Sequence, residues 1–356
     1  MKVLYLTADG AKLIKRGETL LFIKENKDYH RIFPHQTEQI YIIGNVNITT
    51  SALKMLMKHK IDTVLIAKNG KFYGKLTFNP SKNVFLRIKQ YKLIEDSIFI
   101  ASISKSIVRA KIKNQIIFLQ KLNRKRNLSE IKNAIEKLKS YLFSLEKLDN
   151  IQKIRGIEGI ASKTYFSVFH HAFIPDFAVF KRRSKNPPED NVNAVLSFIY
   201  TLLYFRVDAY IEAEGLDAYA GFLHSLDYGR KSLAFDLMEE YRTSIGEILT
   251  VSLFNLGILN ENNFRIETFS SENEEYPLDA DNVNNENVII KKRGVLLNQD
   301  GLKKVINQFE KRLNTEYFYM PEGRKVFYKE LIHYQVKHFK RIILGEEKEY
   351  KPLIMK

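Results

Sequence analysis

The 356-residue chain contains no cysteine. That absence excludes disulfides, thiolate-bound zinc, iron–sulfur clusters and thiol nucleophiles together, and it fits a cytosolic setting. Long hydrophobic runs are missing as well. The longest, Val195–Phe205, falls well short of the roughly 18–20 residues that span a bilayer. The opening MKVLYLTADGAKL has Lys2 before a short apolar run that Asp9 and Gly10 interrupt, without the core and cleavage site of a signal peptide. A soluble, cytoplasmic protein with no membrane partner is therefore expected. No H-E-x-x-H spacing occurs, which disfavours a protein-directed metallohydrolase. The adjacent His170 and His171 should point to different faces of a helix and make a poor chelate. No tandem repeat or low-complexity linker is visible.

Acidic charge is the other shortage. Asp and Glu number 41 against 57 Lys and Arg, a formal charge of +16 and a pI near 9.5. Such an excess favours polyanionic partners, nucleic acid or an anionic membrane surface, although a lysine-rich composition alone also produces it. Hydrophobic residues make up 45% of the chain, enough for a substantial core, and the length accommodates two domains.

The period of the apolar residues changes along the chain. In the first eighty residues it suits strands. Val3, Tyr5 and Thr7 alternate with Leu4 and Leu6, and Lys12–Lys15 and Thr19–Lys24 flank a turn at Arg16-Gly17-Glu18. Gln39–Ile43 and Asp62–Ala67 are further strands, and Asn69-Gly70 signals a hairpin into Lys71–Phe78. Between them Thr49 or Thr50 caps a short helix reaching Lys60, with Leu53, Leu56 and Met57 on one face. Asn79-Pro80-Ser81 ends this pattern. Helical periods follow from Phe85 to Leu93 and from Ile107 to Leu122, then around 158–173, 192–213, 232–255, 301–315 and 322–344. The expected class is α+β: a small N-terminal β-rich domain over 1–80 that carries dimerisation, then a larger, all-helical catalytic domain over 81–356.

Two stretches have unusual charge. Residues 101–140 hold eleven Lys or Arg and two Glu, which reads as a DNA-facing surface or as a solvated helix face. Residues 267–286 are acidic, contain no Lys or Arg, and suggest a loop or a strand-bearing excursion.

The chemistry-bearing residues fall in two motifs. RGIEG places Glu158 in the opening turn of a helix between two glycines, where backbone or a ligand approaches closely. GFLHSLDYGRKSLAFDLMEEYR carries His224, a polar loop, Ser232 as a helix cap, and Asp236 and Glu239 three apart on one helix face. The apolar residues around that pair imply a buried helix, and buried carboxylates need neutralising. Ion pairs with Arg230, Lys231 and Arg242 would do this; so would a divalent metal. Lys181, Arg182 and Arg183, in the segment KRRSKNPPED, and Arg242 are candidate phosphate contacts.

RGIEG, then PPEDNVNAVLSFIYTLL, then GLDAYAGFLHSLDYGRKSLAFDLMEEYR, in this order and spacing, resembles the CRISPR-associated protein one family, the spacer-integration endonucleases. The helix with Arg87, Gln90 and Tyr91 suits the start of that family's helical domain. GLKKVINQFEKRL and KEYKPL are similar to its last helices. The resemblance implies a metal-binding and catalytic triad of Glu158, His224 and Glu239, with Asp236 as a secondary acidic position. Oxygen-rich ligation suits Mg²⁺ or Mn²⁺, and the imidazole tilts preference toward Mn²⁺. The implied reaction is attack of a 3′-hydroxyl on a phosphodiester, inserting short DNA fragments into a repeat array. The implied partners are double-stranded DNA, a second copy of the chain, and CRISPR-associated protein two. Two alternatives use the same residues: a structure-selective repair nuclease acting on branched DNA, and a DNA-binding subunit without catalysis.

Overall fold

The computed structural model describes residues 2–25, 27–67, 72–76, 83–185, 187–269, 292–319 and 323–355. The fold is α+β, and the chain divides into two compact units. The first holds Met1–Pro80; the second holds Ser81–Asn273 and Asp300–Lys356.

The N-terminal unit is built from two four-stranded sheets. In one, β1 (Lys2–Leu6) and β7 (Asp62–Ile66) run parallel to β5 (Thr37–Ile43), and β8 (Phe72–Leu76) returns antiparallel. The other has the order β4 (Lys27–Ile32), β3 (Thr19–Lys24), β2 (Lys12–Arg16), β6 (Asn47–Ile48). Gly17, at φ +59°, makes the tight β2–β3 turn, a backbone region that glycine occupies without steric cost. Leu13, Leu20, Phe22, Ile32, Ile40 and Ile42 alternate inward to form the core. Helix α1 (Thr50–Lys58) starts where the Thr49 side chain accepts the Ala52 N–H. Its buried face is Ala52, Met55 and Leu56, and Met57 is exposed, so the expected stripe is rotated by about one position. The Asn69-Gly70 hairpin and the Asn79-Pro80-Ser81 boundary lie outside the described residues.

The second unit is organised around one helix. After α2 (Val84–Ile94), α3 (Ser97–Arg126) runs for 30 residues. Asp96 caps it by accepting the N–H groups of Ile98 and Phe99, and Asn127, in the left-handed region at φ 51°, ends it. It packs against α4 (Ser129–Glu146), α5 (Ile151–Ser167) and α7 (Ser232–Tyr241). The expected basic surface over 101–140 is therefore not a single face. Lys111 is buried and Arg109 pairs with Glu146, while Lys132, Lys137 and Lys139 on α4 are exposed.

Helix α6 (Asn191–Ala213) is long and apolar enough to cross a bilayer by length and composition, because helix continues on both sides of the Val195–Phe205 run. In this fold 83% of its apolar window is buried within the protein, which makes it a core helix. The sequence period over 232–255 is broken. A π-helical turn at Arg242–Glu247 separates α7 from α8 (Ile248–Asn255). The unit is also not all-helical. Strands β9 (Phe264–Phe269) and β10 (Lys292–Leu297) pair, and β11 (Glu316–Tyr319) pairs with β12 (Arg324–Phe327). Their aromatic and β-branched residues favour strand despite the helical surroundings. Helix α9 (Gln299–Leu313) precedes β11, and α10 (Tyr328–Leu344) starts only after β12. Of the acidic 267–286 segment, 267–269 belong to β9 and the rest lies outside the described residues.

KEYKPL is not helical. Tyr350, Leu353 and Met355 are buried, and this tail is fixed to α3 and α7. Asn114 donates to the Leu353 carbonyl at 3.0 Å and accepts the Met355 N–H at 2.7 Å. Glu240 accepts the Leu353 N–H and, at 2.7 Å, the Tyr350 hydroxyl. Burial pushes the Glu240 carboxyl up to about 7, against the opposing effect of those hydrogen bonds. Folded chains thus keep a proton on Glu240 that unfolded chains release at its ordinary 4.5, and stability falls as pH rises between these values. Glu240→Gln should remove a pH-dependent loss on the order of 3 kcal/mol over that window. Urea unfolding at stepped pH checks this: parallel wild-type and variant profiles would refute the assignment.

Candidate functional site

Three helices of the second unit deliver acidic and basic groups to one volume. Glu158 stands midway along α5, not in its opening turn, because Asn150 starts the helix upstream. The Asn150 side chain accepts the N–H groups of Gln152 at 2.9 Å and Lys153 at 3.2 Å. Gly156 and Gly159 are exposed, and a Cβ at either would meet nothing within 4 Å, so no close backbone approach explains them.

Glu239 and Asp236 lie on α7, whose residues are all buried. Ser232 does not cap this helix; it is the first helical residue, and its hydroxyl donates to the Ser225 carbonyl at 2.7 Å. The two acids have separate tasks. Asp236 folds the GFLH segment around itself. It accepts the N–H groups of Phe222, Leu223 and His224 at 2.6, 2.9 and 2.9 Å, and His224 Nδ1 lies 2.7 Å away. A carboxylate holding three N–H groups accepts from Nδ1 as well, which turns Nε2 away from Asp236. That Nε2 lies 3.9 Å from Glu239 Oε1.

Gly221 is what permits this fold of the loop. A Cβ there would fall 2.6 Å from the Ser232 carbonyl carbon and 2.7 Å from the Leu233 nitrogen. From the other side buried Gln90 donates to the carbonyls of Asp217 at 2.8 Å and Ala220 at 2.9 Å, and accepts the Asp217 N–H at 2.9 Å. Tyr91 donates to the Asp217 carboxylate, and Arg155 to the Leu223 carbonyl.

The residue that sequence reasoning missed is Lys111. Its ammonium contacts Glu158 Oε1 directly and lies 2.7 Å from Glu239 Oε2. It was absorbed into the count of basic residues over 101–140. Its neighbours in sequence, Arg109 and Lys113, are basic as well, so nothing in the spacing singled it out. Burial opposes the Lys111 charge, but Glu158 and Glu239 outweigh that effect and raise its pKa. Burial likewise opposes ionisation of Glu239, yet Arg242, at 3.0 Å, with Lys111 and His224, lowers its carboxyl to about 2. Glu158 is also held below its ordinary value, burial being overcome by Lys111. Ser162 donates to Glu158 at 2.9 Å.

Of the two neutralisers weighed from sequence for Glu239, Arg242 is one that the fold uses. Arg242 also stacks 4.9 Å from the Tyr200 ring centroid. Lys231 turns away to Asp208 and Glu212, and Arg230 lies over Phe235. Arg183 is held by Asn193 at 2.8 Å and Ser197 at 3.1 Å, whereas Lys181 and Arg182 are exposed. The predicted triad is brought together, with the Lys111 ammonium between its carboxylates. Among the described residues, however, the three potential ligands whose donor atoms all fall within 4.8 Å are Glu130, His170 and His171.

The profile of the family described as CRISPR associated protein Cas1 matches residues 4–271. The chain belongs to this family. It is 30% identical to the CRISPR-associated endonuclease Cas1 3 of Thermus thermophilus, over 99% of this chain and 97% of that protein. The Cas1 fold extends to solved structures of lower identity. A casposase bound to integration product superposes with a TM-score of 0.81 at 22% identity, covering 100% of this chain and 95% of that one. A chain of a Cas6-RT-Cas1--Cas2 complex gives 0.82 at 22% identity, covering 100% of this chain and 36% of that one.

Two outcomes follow for this Cas1-family site. Gly221→Ala should cost about 1–3 kcal/mol in chemical denaturation, because the clash is with backbone, which cannot rotate aside. Lys111→Met should cost about 3–5 kcal/mol at neutral pH by stranding two buried carboxylates. That loss should shrink as pH falls through the carboxylate range and the glutamates protonate. A pH-independent loss would assign Lys111 a packing role only.

Proposed function

We propose that this chain is a metal-dependent DNA integrase and endonuclease that inserts short DNA fragments into a CRISPR repeat array. The observation that carries the reading is the convergence of Glu158, Glu239 and His224 Nε2 around the Lys111 ammonium, with Arg242 beside them. Glu239 Oε2 is held by the Lys111 ammonium at 2.7 Å and Oε1 by Arg242 at 3.0 Å. Two carboxylates kept ionised by neighbouring cations, with an imidazole oriented by an acid behind it, form a donor set that fits a divalent ion. Glu158, His224 and Glu239 would hold Mg²⁺ or Mn²⁺, which supplies Lewis-acid stabilisation of charge on a phosphodiester.

The chain's own groups prepare this chemistry. Asp236 holds His224 by Nδ1, so that Nε2 faces the acids. Lys111 and Arg242 keep Glu239 ionised at any physiological pH. A 3′-hydroxyl oxygen forms the new bond to phosphorus as the phosphorus–oxygen bond to the cut strand breaks, so bond number is conserved and no external energy source is needed. Water in place of that hydroxyl gives nicking. Lys181 and Arg182 are suited to contact phosphates, which sets position and not sequence. Arg183 and Arg242 instead support the internal structure.

Insertion into both strands takes two attacks and hence two sites, consistent with a homodimer. The family resemblance, together with the Cas1--Cas2 assembly named above, supports CRISPR-associated protein two as partner. The N-terminal β-rich unit is proposed to carry the dimer contact, and the cytoplasm of a prokaryote is the corresponding location.

With Mn²⁺, partner and a repeat-bearing plasmid, duplexes with 3′-hydroxyl ends should be joined covalently. Glu158→Gln or Glu239→Gln should lower joining by on the order of 10²–10³-fold with DNA affinity retained, and Asp236→Asn by about 10–100-fold. Joining that survives Glu158→Gln would overturn the catalytic assignment. Full cleavage of branched DNA lacking a 3′-hydroxyl, without joining, would favour the repair-nuclease reading.

A further inference from the structure

His170 and His171 do not diverge as helical neighbours would. They lie in a short 3₁₀ turn, Phe169–Ala172, which follows α5 directly. The two rings nonetheless lie together, with centroids 3.9 Å apart and planes tilted by 41°. Glu130, in the first turn of α4, reaches the same place, and its carboxylate lies 2.8 Å from His171 Nε2. One donor atom from each residue falls within 4.8 Å of the other two. His170 also hydrogen-bonds the Ser167 backbone, the kind of support that orients a ligating imidazole.

We propose that Glu130, His170 and His171 form a second metal site, selective for a borderline transition ion of the Zn²⁺ type and separate from the phosphodiester site. Two imidazole nitrogens and one carboxylate oxygen match Zn²⁺, with an open fourth position for water. The same set is poor for Mg²⁺, which demands near-octahedral oxygen ligation. The alternative use of these residues is a surface ion pair between Glu130 and a protonated His171, which contributes little. It leaves the second imidazole, stacked on the first, without a purpose. A bound ion would instead cross-link the start of α4 to the end of α5, the helix that carries Glu158. Because it binds only the folded arrangement, it would stabilise the protein by mass action.

The two sites are separable by experiment. In excess Mg²⁺, with the full-length Glu158→Gln/Glu239→Gln protein, titration with zinc chloride should still show one stoichiometric ion per chain and a raised unfolding temperature. Co²⁺ in the same protein should give the visible absorption of a low-coordinate nitrogen–oxygen site. His170→Ala and His171→Gln, both on an exposed or half-buried turn, should each weaken zinc binding at least about tenfold and abolish the Co²⁺ band and the thermal shift. Zinc binding that disappears in the Glu158/Glu239 variant but persists in both histidine variants would overturn the proposal. So would the absence of any stoichiometric binding, or histidine variants that bind as the parent does.

Discussion

Two glutamates from different helices share one lysine, and the second unit is arranged so that they must. At an effective dielectric near 20, two like charges about 4 Å apart repel by about 4 kcal/mol, and desolvation adds to that. Glu158 and Glu239 persist together only because the Lys111 ammonium contacts both and Arg242 takes the remaining side of Glu239. Each of the three helices carrying these groups is set by its own local rule. Asp96 starts α3, Asn150 starts α5, and α7 follows a loop that Gly221 and Asp236 hold closed against it. Shifting any one helix by a residue would rotate its charged group about 100° away. The cluster therefore depends on register as much as on composition.

The loop carrying His224 shows how such precision is reached without regular structure. A backbone segment from 217 to 224 has few internal hydrogen bonds of its own, so its polar groups must be satisfied from outside. Gln90 from α2, Arg155 from α5 and Asp236 from α7 do this, each by bonding main-chain atoms. These residues carry no reacting atoms. Their effect is that the imidazole arrives in one tautomer and one orientation, which a freely hinged loop would not provide.

The sequence made the acids legible and the cation obscure, for a physical reason. A carboxylate flanked by glycines, or embedded in an apolar helix, violates the local pattern and stands out. Lys111 occupies the kind of position that violates it equally, yet it is surrounded in sequence by Arg109 and Lys113, so its neighbours disguise its burial. Periodicity located α6 and α9 well but could not foresee the π turn at Arg242–Glu247. There Gly246 lets the Tyr200 ring come within 2.8 Å of where a Cβ would stand, a tertiary contact with no signature in residue spacing. The strands β11 and β12 were lost the same way, since runs of four residues are too short for alternation to outweigh helical flanks. The histidine pair failed on geometry: backbone spacing sets i, i+1 residues apart, yet the two side chains turn toward each other and toward Glu130.

Four buried acids along α7 and the following turn are stabilised in four ways, and the differences sort them by use. Asp236 is satisfied by three backbone N–H groups and an imidazole, which makes it a hub for folding a loop. Glu240 faces a tyrosine hydroxyl, a backbone N–H and Gln335 without any cation, and burial pushes its carboxyl up to about 7. Glu247, between the hydroxyls of Tyr165 and Tyr200, is raised by burial as well. With its midpoint near 7 Glu240 is near the limit of holding charge, and a group close to neutrality is a poor ligand for a hard cation. Glu239 is driven the opposite way, to about 2, although it is as deeply buried as its neighbour Glu240. Adjacent residues of one type on one helix thus differ by about five pH units in their midpoint, because one points at Lys111 and Arg242 and the other does not. Of the four, Glu239 is the one paired with both Lys111 and Arg242. Keeping a deeply buried carboxylate ionised beside a second one is costly to the fold, and acids perturbed in this way cluster at functional sites.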